Sequence, residues 1–295
     1  SMTPSHIKKV AAVQDLSCIG RCSLTVILPI LSCLGVQTCP LPTAILSTHP
    51  GGFTGVEVYD FARHIPAFSS HWRREGIEFD AVYSGFLASE NQIALVAQFI
   101  DDFSANRPLI LVDPVMGDDG HLYSICTDAM KAQIRTLVKK AGIITPNYTE
   151  ACFLLDEPWQ STVVNIDDVR PWLRRLAAMG PAQIVITGIP LPGHKIANLG
   201  FDRATGEIWP FVYDYIPVKY PGTGDAFASV LLGKLLTGLS LPEAIRTAGD
   251  FVTAAVRLSA ASGVPTREGI LLEFCLPWLF SGTPTLGSPE DIDHA

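Results

Sequence analysis

Charged side chains are scarce in this sequence. Asp, Glu, Lys and Arg make up 17% of its 295 residues, against ~25% in an average globular chain. The shortage is sharper for the basic residues, 21 against 29 acidic ones, which leaves a net charge of -8. That balance excludes an extended nucleic-acid surface, which needs clustered Lys and Arg. A disulfide or zinc framework is missing as well. The seven cysteines are an odd number, scattered from Cys18 to Cys275, with no C-x-x-C pair and no histidines at zinc-finger distance. Cys18 and Cys22 alone lack two further ligands, so all seven thiols are read as reduced. Long hydrophobic runs are absent too: Leu24 to Val36 is too short to span a bilayer and Pro29 interrupts it. With no basic-then-apolar leader, the expectation is a soluble, cytoplasmic chain without membrane or nucleic-acid partners. Finally, neither G-x-x-x-x-G-K-[ST] nor H-R-D nor D-F-G occurs. Any phosphoryl transfer would therefore use another scaffold than the P-loop or protein-kinase one.

What is present is apolar: 48% of the chain, enough to cover a large sheet. Short apolar runs alternate with stretches of helical period. Val10–Val13, Ala81–Tyr83, Leu109–Val112, Ile143-Ile144 and Ile184–Ile186 read as strands, and Val36–Leu46 as extended. Helices are expected at about 22–34, 56–74, 91–103 and 167–179, with a long helical region over 224–262. Uninterrupted apolar strands separated by helices imply right-handed crossovers and a mostly parallel sheet covered on both faces. Residues 194–213 read instead as a hairpin turning around Asp202–Gly206. No repeat or linker is evident, so one domain is expected over 1–280, with a frayed Gly/Pro/Ser/Asp-rich tail at 281–295.

In such folds ligands sit outside the carboxyl ends of the strands. Asp15, Ser84-Gly85, Asp113-Pro114, Thr145-Pro146-Asn147 and Thr187-Gly188 each directly follow an expected strand. Gly222-Thr223-Gly224-Asp225 then opens the apolar helix 226–236. Two glycines let the backbone approach a ligand closely, and the helix start aims free N–H groups at an anion. Asp225 there could accept a proton from an attacking hydroxyl, or simply cap its helix. Asp113 and Asp118 flank a turn, spaced to face a divalent ion or to lie solvated at the surface. Asn147 and Glu150 share one face of a starting helix, where they could also form a capping box.

The succession D-P-V-M-G-D (113–118), T-P-N-x-x-E (145–150), V-I-T-G (185–188) and G-T-G-D (222–225) resembles the ribokinase-like superfamily. Within it, Val13-Gln14-Asp15, Ser47-Thr48-His49-x-Gly51 and Gly120-His121-Leu122-Tyr123 resemble the pyridoxal and pyridoxamine kinases. The likeness runs from about residue 8 to 262. It implies a three-layer α/β/α sandwich with a mostly parallel central sheet and a small lid. It also implies ATP-dependent phosphorylation of the 5′-hydroxymethyl group of a B6 vitamer.

By the same resemblance, Asp225 would be the base, and the N–H groups of Gly222, Thr223 and Gly224 would hold the charge on the transferring phosphoryl. Asp113 and Glu150 would organise Mg²⁺, with room for a monovalent cation such as K⁺. ATP would be bound by Asp118, Tyr123, Asn147, Thr187 and Gly188, Tyr123 belonging to a flap. Asp15, Ser47, His49 and Phe86 would face the vitamin, although His49 could equally brace the Gly51-Gly52 loop. Asp15 stands where relatives carry Ser, Pro50 where they carry Thr, and Phe86 where Tyr is common. Those departures bear on ring recognition rather than on phosphoryl transfer. The family's homodimer would form through the lid edge. Three other readings remain: a hydroxymethylpyrimidine kinase on the same fold, a sugar kinase, and a non-catalytic sensor of a B6 vitamer or ATP.

Overall fold

The computed structural model describes residues 6–281. In chain order the elements are β1 (Lys9–Ile19), α1 (Leu24–Cys33), β2 (Gln37–Thr48), β3 (Val58–Asp60), α2 (Ile65–Arg74), β4 (Ala81–Ser84), α3 (Glu90–Asp102) and β5 (Leu109–Val112). Then come β6 (Gly117–Asp118), β7 (His121–Leu122), α4 (Asp128–Lys140), β8 (Ile143–Ile144), α5 (Tyr148–Leu155), α6 (Arg170–Ala177) and β9 (Gln183–Leu191). The chain closes with β10 (Lys195–Asp202), β11 (Glu207–Asp214), α7 (Thr223–Leu236), α8 (Leu241–Ser262), α9 (Leu272–Cys275) and α10 (Trp278–Ser281). The tail expected at 281–295 lies, apart from Ser281, outside the described residues. Among the described residues no helix is long and apolar enough to cross a membrane.

Internal contacts gather the chain into two compact units, one of residues 1–61 with 216–295 and one of residues 62–215. In the first, β1 and β2 pair in parallel, as the α1 crossover between them requires, and β3 adds antiparallel to β2. One bulge interrupts the β1–β2 ladder: Gln14 pairs Pro42 but Leu16 pairs Ile45, so Asp15 faces two residues of β2. Helix α7 packs between α1 and α8, touching both. At the α1–α7 contact, a Cβ on Gly233 would lie 2.5 Å from the Leu34 side chain, so only glycine lets the helices close that far.

In the second unit β4, β5, β8 and β9 are successively parallel, and β9, β10 and β11 continue antiparallel. The apolar runs Ala81–Tyr83, Ile143-Ile144 and Ile184–Ile186 are all buried, as strands covered on both faces must be. Trp72 of α2 and Phe79, Phe99 and Phe103 around α3 form an aromatic cluster with ring separations from 4.8 to 6.5 Å. Such pairs each add about 0.5–1.5 kcal/mol beyond area burial. The hairpin expected at 194–213 is present in full register. The fold is thus α/β with a mostly parallel sheet, the class read from the sequence.

Three expectations of local structure need correction. The helix expected at 56–74 begins only at Ile65; Val58–Asp60 is instead an edge strand. Val56-Glu57-Val58-Tyr59 alternates with period two, and Pro66 fits only a first turn. The single helical region at 224–262 is two helices, parted where Gly238 takes φ 105° and Ser240 opens a capping box with Glu243. And β1 does not end at Val13 but runs on to Ile19, so Asp15 lies within a strand rather than after one.

Candidate functional site

Helix α7 starts from Gly222, which takes φ 85°. A Cβ there would overlap the carbonyl oxygen of Arg21, so shape and backbone both demand glycine. The first intrahelical bond runs from Ala226 N–H to Gly222 O. The N–H groups of Gly222, Thr223 and Gly224 therefore stand ahead of the ladder, at the positive end of the dipole. Asp225 is not the N-cap, and the helix start has no side-chain cap. Its carboxylate instead accepts the backbone N–H of Ser23 at 2.9 Å, with the Cys22 thiol at 3.8 Å. Burial pushes the Asp225 carboxyl up to about 6, and the negative charge of Asp15 adds to that. A carboxylate in this range is a usable proton acceptor near neutral pH. The Cys22 thiol is raised well above its usual value, by burial first and then by Asp225 and Asp15, so it stays protonated.

The loop that delivers Ser23 is fastened in the same unit. Arg21 reaches Glu273 with both Nε (2.7 Å) and Nη2 (2.6 Å), and Nη1 donates to Glu268 O at 3.1 Å. Ser23 takes φ 52° and ψ −128°, a conformation that L residues rarely adopt. Its hydroxyl donates to Asp15 Oδ1 at 2.8 Å, and the Ser17 hydroxyl donates to Oδ2 at 3.1 Å. Asp15 is buried, which raises its carboxyl, while the Ser23 and Ser17 hydroxyls hold it down.

His49 is buried with both ring nitrogens engaged: Nδ1 accepts from Gly51 N–H at 3.0 Å, and Nε2 meets Arg267 O. That arrangement fixes the neutral tautomer carrying its proton on Nε2. The guanidinium of Arg267 lies 4.5 Å from the Phe53 ring centroid and donates to Gly52 O at 3.3 Å. The Gly51-Gly52 loop is therefore tied down, with His49 as its brace. Ser47 is exposed on β2, and its hydroxyl accepts from Glu57 N–H at 2.9 Å.

In the second unit the first turn of α5 grips the loop that leaves β5. Asn147 caps α5 by accepting from Glu150 N–H at 2.8 Å, and Glu150 Oε1 accepts from Asn147 N–H at 2.9 Å, completing the capping box. The remaining groups reach across: Glu150 Oε2 accepts from Met116 N–H at 2.9 Å, and Asn147 Nδ2 donates to Gly117 O at 2.9 Å. Thr149 Oγ1 accepts from Gly120 N–H at 3.0 Å. The loop is a hairpin, β6–β7, turning through Asp119 (φ 50°) and Gly120 (φ 80°). Two successive positive φ values are the signature of a type I′ turn. Tyr123, at the hairpin's foot, donates its N–H to Met116 O at 2.9 Å and exposes its ring.

Asp113 and Glu150 are both buried. Burial raises the Glu150 carboxyl against the pull of the Asn147, Met116 and Gly117 N–H groups. Among the described residues no group of three or more His, Cys, Asp or Glu is gathered for a metal. Mg²⁺ needs only one or two carboxylates beside waters and phosphate oxygens. Glu150 already gives both oxygens to the Asn147 and Met116 N–H groups, so it would reach an ion through water. Thr187 and Gly188 lie inside β9, at the bulge where two residues oppose Asn198. Gly188 takes φ 66° and donates its N–H to Asn198 Oδ1 at 3.1 Å, while Thr187 N–H bonds Pro146 O at 3.0 Å. Phe86 is half-buried just beyond β4.

The structure thus brings Asp225 together with Asp15 in one unit, and Asn147 and Glu150 together with the 116–120 hairpin in the other. Sequence reading missed Arg21, Ser23, Thr149 and Asn198. Asn198 had a signal, a lone polar residue inside the apolar run 196–201. Ser23 could be read only as a helix N-cap, since its backbone strain leaves no trace in composition.

Comparison with known proteins gives the family. Residues 30–269 match the family model of phosphomethylpyrimidine kinase. A Bacteroides thetaiotaomicron protein provisionally named a phosphomethylpyrimidine kinase, crystallised with pyridoxal, is 40% identical, with TM-score 0.88 over 96% of this chain and 98% of that one. Pyridoxal kinase from Lactobacillus plantarum is 30% identical, with TM-score 0.84 over 94% and 98% of the two chains. Hydroxymethylpyrimidine/phosphomethylpyrimidine kinase of Bacillus subtilis is 30% identical over 64% of this chain and 68% of its own. The resemblance read from the motifs is borne out: this chain belongs to the phosphomethylpyrimidine kinase family, within the ribokinase-like group that includes the pyridoxal kinases.

Proposed function

We propose that the chain transfers the γ-phosphoryl group of ATP to the 5′-hydroxymethyl group of a B6 vitamer. The observation that carries this reading is the Asp225 carboxylate, raised to about 6 behind the free N–H groups of a glycine-started helix. Asp225 takes the hydroxyl proton as the new O–P bond forms and the bond to the β-phosphate oxygen breaks, releasing ADP. The N–H groups of Gly222, Thr223 and Gly224 hold the charge on the transferring group, a kind of donor typically worth ~2.7–4 kcal/mol each. Mg²⁺, held through water by Asp113 and Glu150, would neutralise phosphate charge. Asp118, Asn147, Thr187 and Gly188 contact the ATP phosphates, and the β6–β7 hairpin with Tyr123 covers them. Asp15 receives a donor on the vitamin ring, with Phe86 against the ring. The pyridoxal-bound Bacteroides relative, at 40% identity, supports the substrate class. Pairing as a homodimer through β3 would cover Val58 and Tyr59, which are exposed.

A second reading, phosphorylation of hydroxymethylpyrimidine, is favoured by the matching family model and by the Bacillus subtilis relative. Against it stands Gln14-Asp15-Leu16-Ser17 in place of the glycine-rich segment that such kinases resemble one another in after their first strand. The deciding experiment is turnover with ATP and Mg²⁺ of pyridoxal, pyridoxamine, pyridoxine and hydroxymethylpyrimidine side by side. The highest kcat/KM for a B6 vitamer supports the first reading. Turnover mainly of the pyrimidine overturns it in favour of the second.

A further inference from the structure

Asp15 and Asp225 come from opposite ends of the sequence, and Ser23 touches both carboxylates. Its backbone N–H lies 2.9 Å from Asp225 Oδ2 and its hydroxyl 2.8 Å from Asp15 Oδ1. It does so from φ 52° and ψ −128°, a backbone conformation that strains an L residue. A strained serine is kept in place only if its surroundings over-determine it. Here they do, through the clamp on Glu273 made by Arg21, two residues upstream, and the second hydroxyl, Ser17, on Asp15. A glycine would relieve the strain and keep the N–H. What serine adds is the hydroxyl, and the hydroxyl goes to Asp15.

We propose that Ser23 is a positioning residue that aims the Asp225 carboxylate and ties it to Asp15, so that neutralising Asp15 is felt at Asp225. The substrate class follows from that tie. A ring that presents a cationic donor to Asp15, an ammonium or a protonated ring nitrogen, removes the negative charge next to the proton acceptor. The inference rests on the reading of Asp225 as that acceptor. Among the described residues the groups acting on Asp225 are the Ser23 N–H, Asp15 of β1 and the Cys22 thiol, and none comes from α1 or α8, which pack along α7. His49 at the end of β2 faces Asp15, and Arg21 is turned to Glu273.

The test uses the full chain labelled with ¹³C at the aspartate carboxyl carbon, titrated without substrate, the Asp225 signal being assigned by its loss in Asp225→Asn. Asp15→Asn should move the Asp225 titration to lower pH, because a like charge is gone. Ser23→Gly keeps the N–H but loses the hydroxyl anchor on Asp15. A glycine without that anchor no longer holds the N–H on Asp225, so kcat should fall about tenfold with the KM for ATP unchanged. An Asp225 titration identical in wild type and Asp15→Asn would overturn the coupling, and wild-type kcat in Ser23→Gly would overturn the positioning role. Should none of the offered vitamers be phosphorylated while the titration moves as expected, the tie stands and only the substrate reading falls. If Ser23→Gly does not fold, the Asp15→Asn titration decides alone.

Discussion

The backbone N–H of Ser23 donates to the carboxylate of Asp225 at 2.9 Å across 202 residues of sequence. This one bond sets the orientation of the proposed proton acceptor from outside its own helix, and it frames the first expectation. Asp225→Asn keeps the shape and an acceptor oxygen for Ser23, but cannot take a proton. It should lower kcat by at least ~10²-fold while leaving ATP affinity nearly intact. Steady-state kinetics and ATP titration check both halves, and near wild-type kcat would remove Asp225 from the mechanism.

Rate should follow the Asp225 proton. A base works only when deprotonated, and burial moves this carboxyl from 3.8 to about 6. The plot of kcat/KM against pH is therefore expected to rise through about 6 and level off above it. A rising limb at ordinary aspartate values would contradict the environment described for this side chain.

The same shift has a stability sign. Asp225 binds its proton more tightly folded than unfolded, so its contribution is fully present below 3.8 and is lost as pH rises through about 6. At pH 8 the charged carboxylate therefore destabilises the fold, by a few kcal/mol at most. Asp225→Asn should raise Tm by a few degrees at pH 8 and by little at pH 4. An equal change in Tm at the two pH values would rule out this linkage.

Gly222 carries both a positive φ of 85° and a close approach to Arg21 O. Gly222→Ala must move either α7 or the loop at Arg21. The expected result is a loss of more than ~2 kcal/mol in denaturant unfolding, together with loss of turnover. Gly35→Ala serves as a comparison: its φ is also positive, at 79°, but nothing crowds its Cβ, so turnover should survive.

Asn147→Ala removes the α5 cap and the tether to Gly117 O together. A cost of about 1–2 kcal/mol in stability is expected from the cap. If the hairpin covers ATP, the KM for ATP should also rise, whereas a purely structural cap would leave it unchanged.

Much of the fold was legible because its strands are uninterrupted apolar runs. Leu109–Val112 and Ile184–Ile186 read as strands because they are short, β-branched-rich and bounded by turn residues, and Asp202–Gly206 read as the turn of a hairpin. The edge strand Val58–Asp60 escaped because a short, exposed strand buries little and its aromatic residues also suit a helix face. The break at Gly238 was obscured by the strength of the helical pattern on either side of it. For the site, residue types were legible and partnerships were not. Asn147 and Glu150 are three residues apart, and their capping box was one of the two readings the sequence left open. Glu150 reaching Met116, or Ser23 reaching Asp225, depends on how distant segments close on one another, and no local pattern encodes that.

The bidentate pairing of Arg21 with Glu273 gives the end of the chain a part in its beginning. Glu273 lies past the matched stretch 30–269, and Arg21, Ser23 and Asp15 all precede it. Trimming the protein to its recognisable family segment would therefore discard both anchors of the loop that orients Asp225, while leaving Gly222-Thr223-Gly224-Asp225 whole. Such a fragment would carry every signature of a kinase and lack the splint that sets its base.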